Sequence, residues 1–289
     1  MINPKNYERP QTIEEAVRAL ENSDAYPLRG GALALGTLDF EHATVIDLQD
    51  VPELVSIYVV DDGVTIGGGV LLQQIVDTPE VPLAFRRSLL RTLPPNIRNN
   101  TSVLETFMVP NPPREWLATM AAYDATITMQ DFDGGTKQFS LTESDLVAGK
   151  SVGRRIRNGL MISVFVPKMG KGEAIGSAYV ARTPADEAIV NAAVAIRVDG
   201  NGQVFGAFAA ICGVSQYDEV ELLSLGELYK QPLTAESIAH QAAMVPHVIE
   251  PPSDYLGSAA YRKQMAQVLV RRALEDAAAQ LSAAKGSDA

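Results

Sequence analysis

The stretch Pro27-Leu-Arg-Gly-Gly-Ala-Leu-Ala34 decides how the first part of the chain folds. Its two adjacent glycines can supply the positive φ angles of a tight turn, which other residues rarely adopt. Before this turn, Thr12 and Glu15 form a capping box that predicts a helix over residues 11–22. After it, the β-branched run Thr44-Val-Ile-Asp-Leu48 predicts a strand. The chain therefore opens with α and β elements joined by a glycine turn.

Hairpin and linker signals follow in the next part of the chain. The apolar stretch from Ile57 to Val70 is interrupted by Asp61-Asp-Gly63, which predicts two antiparallel strands joined by a tight turn. Residues 96–113 are rich in Asn, Thr and Pro and lack a period, so we predict a loop there. The segment Lys168 to Gly176 has three glycines and two lysines, and this composition is typical of a linker. We place a domain boundary near residue 172.

The last part of the chain predicts a second hairpin and two helices. Apolar and polar residues alternate over residues 194–199, and Gly200-Asn-Gly202 can turn the chain into the apolar run Val204 to Val214. Thr234 begins one capped helix, and residues 258–281 form a long amphipathic one. We therefore predict an α+β chain of two unlike domains, residues 1–172 and 173–289.

Charge and composition exclude several classes of protein. The 289 residues correspond to about two domains, at roughly 150 residues each. The chain has 24 Lys and Arg against 35 Asp and Glu, a net charge of −11 that opposes binding to nucleic acid. No signal peptide or apolar run of about 18 residues is visible, so we predict a cytoplasmic chain without a transmembrane segment.

Cysteine and histidine residues are too few and too scattered for a metal centre. Cys212 is the single cysteine, so the chain can form no internal disulfide and cannot supply the thiolates of an iron-sulfur cluster. His42, His240 and His247 lack the spacing of metal ligands. No paired acid and base surrounds them either. We therefore predict no metal site and no catalytic residue in this chain.

Four ordered stretches of the sequence resemble one known family. They are Tyr7–Ala16 with Leu28–Gly31, Val45–Gly68, Asn96–Asn99, and Arg182–Val194 with Ser258–Leu274. In this order and spacing they resemble the FAD-binding medium subunit of the molybdenum hydroxylases, the carbon monoxide dehydrogenase and xanthine dehydrogenase family. The resemblance spans nearly the whole chain.

The resemblance implies a fold and a role. The fold is a two-part FAD-binding domain of the PCMH-like type, with subdomains at about 1–55 and 56–172. A C-terminal domain with a three-stranded antiparallel sheet and a helical bundle follows. In the family, a large molybdopterin subunit hydroxylates the substrate, and a small subunit passes electrons through [2Fe-2S] clusters to FAD. The medium subunit then delivers them to an external acceptor, within a dimer of heterotrimers. Molybdopterin and the [2Fe-2S] clusters are therefore expected on partner subunits only.

The resemblance also implies an FAD site built from two glycine-rich loops, whose backbone N–H groups face the pyrophosphate. The corresponding candidate residues here are Arg29, Gly30, Gly31, Ala32, Leu33, Ala34, Ile66, Gly67, Thr101, Ser102, Val103, Leu104 and Glu105. Leu104 and Glu105 stand where the family has paired glycines. A left-handed backbone at these residues would cost about 1–2 kcal/mol each. The carboxylate of Glu105 would also repel the pyrophosphate.

Three hypotheses for function follow. In the first, the altered loops still admit FAD, with Arg29, Arg98 or Arg114 as a cation for the phosphates. In the second, the chain is a structural subunit that has lost FAD. Its support includes Glu187, which stands where the family commonly has an aromatic residue over the flavin. In the third, a stand-alone protein binds another ligand in a cleft lined by Leu33, Val103 and Leu104.

Overall fold

The structure is a computed structural model of the chain. It describes residues 4–22, 24–33, 44–109, 112–142, 159–183, 186–216 and 220–287. Packing divides these residues into two units. The first takes residues up to 113, 124–142 and 159–168, and the second takes residues 114–123 and those from 169 onward.

The first unit begins with a small parallel sheet. Its strands, in the spatial order β1-β3-β2, are β1 (Asn6–Glu8), β2 (Ala25–Leu28) and β3 (Thr44–Asp47). Helix α1 (Ile13–Leu20) precedes β2, and the Thr12 hydroxyl accepts the Glu15 N–H at 3.2 Å, as the capping motif predicts. The 3-10 helix Leu48–Asp50 follows β3.

The larger sheet of the first unit is antiparallel and has five strands. They are β4 (Ile57–Val60), β5 (Gly63–Gly67), β6 (Thr126–Asp131), β7 (Thr136–Ser140) and β8 (Gly159–Pro167). Their order is β4-β5-β8-β6-β7, so β8 joins the two hairpins into one sheet. The turn at Asp61–Gly63 predicted from the sequence is present between β4 and β5.

The described residues of the first unit form four further helices. They are α2 (Leu72–Asp77), α3 (Leu83–Thr92), α4 (Pro95–Arg98) and α5 (Val103–Met108). The loop predicted over residues 96–113 is therefore wrong. An N–H group in the first turn of a helix has no acceptor within the helix, so proline, which lacks this group, is tolerated there. This allows α4 to begin at Pro95. At the start of α5 the Glu105 carboxylate accepts the Ser102 N–H at 3.4 Å, which is one half of a capping box.

The second unit contains one antiparallel sheet of the order β12-β11-β10-β9. Its strands are β9 (Glu173–Val180), β10 (Val190–Val198), β11 (Val204–Cys212) and β12 (Glu221–Ser224). The described sheet thus has four strands where the resemblance implied three, because the short β12 adds to the edge of β11. The linker predicted over residues 168–176 is also partly wrong, since β9 begins at Glu173.

Helices α6 (Arg114–Ala122), α7 (Ala235–Met244) and α8 (Ala259–Ser287) complete the second unit, with 3-10 helices at Gly226–Leu228 and Val245–His247. Helix α8 packs on β9 and β10, and its buried residues include Ala266, Leu269, Val270, Ala273 and Ala277. Among the residues that the structure describes, no helix is both long and apolar enough to cross a membrane.

Candidate functional site

Three loops of the first unit are joined by backbone hydrogen bonds. We call residues 29–33, 67–72 and 100–105 the three-loop cluster. The Ala32 N–H donates to the Asn100 carbonyl at 2.7 Å, and the Leu104 N–H donates to the Gly68 carbonyl at 2.7 Å. The cluster contains the candidate residues of both predicted loops, apart from Ile66 and from Ala34, which lies outside the described residues.

The glycine turn has a structural reason of its own. Gly30 and Gly31 have φ angles of +94° and +92°, a region that residues with side chains rarely adopt. A Cβ atom on Gly30 would overlap the carbonyl of Asn100. Glycine is therefore required at position 30 by the fold of the cluster itself, whatever the cluster binds.

We expect Gly30→Ala to destabilise the first unit by about 2 kcal/mol or more, because the positive φ costs roughly 1–2 kcal/mol and the overlap adds to it. Gly134→Ala is the matched control, since Gly134 has a φ of +82° and open space around its Cβ position. Amide hydrogen exchange of β5 and β8 measures the opening free energy of this unit. Equal losses in the two variants would contradict the role given to the Asn100 contact.

The carboxylate of Glu105 lies inside the cluster and is only 2% exposed. Its Oε1 accepts the Leu33 N–H at 2.7 Å, and its Oε2 accepts the N–H groups of Gly31 at 3.2 Å and Ser102 at 3.4 Å. Backbone N–H groups that converge in this way form an anion site, and we call these three N–H groups the cradle. In this chain, a side chain of the protein itself supplies the anion.

Leu104 and Glu105 do not pay the cost of a left-handed backbone. Both residues lie in α5. Within the described part of the chain, the non-glycine residues with positive φ are Asp124 and Lys230. No left-handed backbone arises, because the chain takes a helical turn where the family pattern has two glycines. The S-x-x-E spacing of Ser102 and Glu105 is the sequence signal for this turn.

The three candidate arginines all have partners within the protein. The Arg29 guanidinium donates to the Gly69 carbonyl and, at 3.2 Å, to Gln74 Oε1. Arg98 Nε donates to Gln73 Oε1 at 2.8 Å. Burial lowers the pKa of both Arg29 and Arg98.

In the second unit, Arg114 pairs with Glu187 at an N···O distance of 3.0 Å. Its guanidinium also donates to the Ala188 carbonyl at 3.3 Å. Glu187 thus balances the charge of one candidate arginine. No sequence signal connects two residues so far apart in the chain.

Three apolar candidate residues, Ile66, Val103 and Leu104, are part of the packed core. Val103 and Leu104 are buried, so they do not line an open cleft as the third hypothesis requires. Ile66 is buried in β5, and Gly67 in the same strand approaches the Leu54 backbone too closely for a Cβ. By contrast, Thr101 Oγ1 and Ser102 Oγ are buried and have no hydrogen-bond partner among the residues that the structure describes, so two polar groups beside the cradle remain unsatisfied there.

The cluster does not fit the FAD site that the resemblance implies. A pyrophosphate needs the N–H groups that the Glu105 carboxylate already occupies, and two anions cannot share them. The hydroxyls of Thr101 and Ser102 are compatible with a ligand, but they do not remove this conflict. Among the described residues, no group of three or more His, Cys, Asp or Glu side chains could hold a metal ion.

Comparison with known proteins defines the class to which this fold belongs. Residues 3–169 match the FAD binding domain in molybdopterin dehydrogenase, and residues 178–277 match the CO dehydrogenase flavoprotein C-terminal domain. The chain belongs to this family, the medium subunits of the molybdenum hydroxylases. This confirms both the resemblance and the fold class predicted from the sequence.

Particular relatives match over almost their whole length. The carbon monoxide dehydrogenase medium chain of Hydrogenophaga pseudoflava is 26% identical over 287 residues, which cover 96% of this chain and 98% of that one. The nicotine 6-hydroxylase medium subunit of Paenarthrobacter nicotinovorans is 28% identical over 286 residues, covering 94% and 97%. Quinoline 2-oxidoreductase from Pseudomonas putida 86 has a similar fold, with a TM-score of 0.81 at 21% identity, over 97% of this chain and 99% of that chain.

Proposed function

We propose that the chain is a structural medium subunit of a molybdenum hydroxylase-type complex and that it does not carry FAD in its three-loop cluster. The two family matches and the relatives named medium chain or medium subunit support membership of such a complex. The main observation against bound FAD is that the buried Glu105 carboxylate accepts the N–H groups of Gly31 and Leu33.

The proposed partners are a large molybdopterin subunit and a small [2Fe-2S] subunit, assembled as a dimer of heterotrimers. The single cysteine of this chain supports placing the iron-sulfur clusters on another subunit, because each cluster needs four ligands and most are cysteines. The cytoplasmic location stays a prediction from the sequence.

A second candidate function is the electron relay of the family, from the [2Fe-2S] clusters through FAD to an external acceptor. Two observations favour it. The left-handed turn at Gly30 and Gly31 is retained, and the buried hydroxyls of Thr101 and Ser102 have no partner in the described part of the chain. Both would suit a bound ligand, provided that Glu105 moved out of the cradle.

Purification of the tagged chain from its native host tests both candidates. We expect one larger and one smaller partner chain to co-purify. Elemental analysis should detect molybdenum and iron, and flavin should be absent. Because iron-sulfur clusters also absorb visible light, flavin is measured by its fluorescence after acid release, and FAD added to a parallel sample controls for recovery. Stoichiometric FAD in the extract would establish the relay function instead. A chain that purifies alone, without molybdenum or iron, would contradict the proposed complex.

A further inference from the structure

The Glu105 carboxylate takes the place of a ligand anion in the three-loop cluster. It binds N–H groups of two chain segments about 70 residues apart in sequence, at Gly31 and Leu33 on one side and at Ser102 on the other. We propose that Glu105 is an internal substitute for a diphosphate: it organises the Gly30–Leu33 turn without any ligand and closes the cradle to anions from solution.

The geometry of the donors supports this proposal. Within the described residues, three backbone N–H groups point to the two oxygens of one carboxylate, and the carboxylate is almost completely shielded from water. Backbone N–H groups are fixed hydrogen-bond donors with a partial positive charge, so they bind any small anion that reaches them. If Glu105 is absent, the buried N–H groups of Gly31 and Ser102 lose this acceptor, which costs free energy that an incoming anion can restore.

The arrangement also limits the class of ligand. The guanidinium of Arg29 is held by Gly69 and Gln74, and that of Arg98 by Gln73 and Leu93. The opened cradle would therefore recognise an anion through backbone N–H groups. A compact diphosphate, whose oxygens can accept several such bonds, matches this set of donors. The unpartnered Thr101 and Ser102 hydroxyls are two further hydrogen-bonding groups on the adjoining segment.

This inference rests on the part of the proposed function that says FAD is absent. Different experiments can contradict the inference and the proposed function. Partner chains that do not co-purify would contradict the subunit role and leave the behaviour of Glu105 untouched. If the cradle does not bind anions after Glu105 is removed, the inference is contradicted, but the subunit role is not.

The test compares the thermal unfolding of the full chain with and without inorganic pyrophosphate. We expect no pyrophosphate-dependent change in Tm for the native chain. We expect Glu105→Ala to unfold at a lower temperature and to regain stability as pyrophosphate is added, with a Kd at least tenfold tighter than that of the native chain. Glu80→Ala removes an exposed carboxylate of the same unit and should leave both Tm and anion response unchanged.

Two further measurements make the result decisive. Glu105→Gln has the size of the native residue without its charge, and it should bind pyrophosphate at least threefold more tightly than the native chain even if Glu105→Ala does not fold. In the native chain without ligand, the amides of Gly31 and Leu33 should be protected from hydrogen exchange. Folded Glu105 variants that do not respond to pyrophosphate, or rapid exchange of these two amides, would overturn the proposal.

Discussion

Replacing Gly176 by alanine is expected to destabilise the second unit by about 3 kcal/mol or more, since overpacking a core costs 1–3 kcal/mol and more where nothing can move. Gly176 lies in β9, directly under helix α8. A Cβ at this position would overlap the carbonyl oxygen of Ala273 and lie 2.7 Å from the backbone N of Ala277. Both atoms belong to the helix backbone, so no side-chain rotation can relieve the contact. The strand and the helix would have to separate.

Gly206→Ala is the matched control for this prediction. Gly206 also lies in a strand of the same sheet, but its nearest neighbours at the Cβ position are side-chain atoms of Arg197, at 3.7 and 3.8 Å. We expect a change within about 0.5 kcal/mol there. Urea unfolding followed by the fluorescence of Trp116 reports on this unit, because this single tryptophan is buried in α6. A loss below about 1 kcal/mol for Gly176→Ala would show that α8 can shift away from the sheet.

Gly176 also shows where reasoning from the sequence failed. Three glycines and two lysines between residues 168 and 176 have the composition of a linker, yet the last four of these residues belong to β9. A glycine required by the close approach of a helix cannot be distinguished locally from one that loosens a linker. The distinction depends on Ala273 and Ala277, which are about a hundred residues away in sequence.

Local signals, by contrast, predicted much of the fold. The capping motif at Thr12, the Asp-Gly turn before β5 and the Gly-Asn-Gly turn between β10 and β11 each depend on neighbouring residues only, and the structure contains all three. The capping motif at Ser102 was equally local, but the surrounding Asn, Thr and Pro residues favoured a loop. The composition of the segment therefore led to the prediction of a loop, although the spacing of Ser102 and Glu105 indicates the start of a helix.

The role of the candidate site residues stays a prediction from the resemblance. The residues of both loops could be named from the resemblance, and the conflict between a carboxylate and a pyrophosphate follows from the identity of Glu105. What the sequence could not show is that this carboxylate accepts the N–H groups of Gly31 and Leu33. That contact joins segments more than 70 residues apart, and only the folded chain brings them together.

The second large effect is expected at Arg262, whose side chain is 1% exposed. Its guanidinium donates to the Ile189 carbonyl at 2.7 Å and the Gly213 carbonyl at 2.9 Å, and it binds both carboxylate oxygens of Asp254 at 2.8 Å. Arg262→Met would leave two carbonyls and a carboxylate without these donors. Because each of the two carbonyls left unsatisfied costs about 1–3 kcal/mol, we expect a loss of roughly 2 kcal/mol or more in unfolding free energy. The Asp254 carboxylate adds less, since it is 36% exposed and keeps the N–H groups of Leu256 and Gly257.

Arg271→Met on the same helix is the control for this prediction. Arg271 is exposed and pairs with Glu275 one turn away, an interaction worth about 0.5 kcal/mol or less. Trp116 fluorescence during urea unfolding again gives the free energy of the second unit. Similar losses in the two variants would contradict the role of Arg262 in satisfying the buried carbonyls.

The Arg262 contact also has a pH dependence of predictable sign. Burial raises the pKa of Asp254, but hydrogen bonds from Arg262, Leu256 and Gly257 outweigh this and hold the pKa below its usual value. The stabilising contribution of Asp254 is therefore complete above its unfolded pKa of about 3.9 and is lost as the pH falls through the lower folded value. In Arg262→Met this part of the acid sensitivity should diminish, because the main donor is gone. An unchanged slope of stability against pH below about 4 would mean that the backbone N–H groups alone hold the carboxylate.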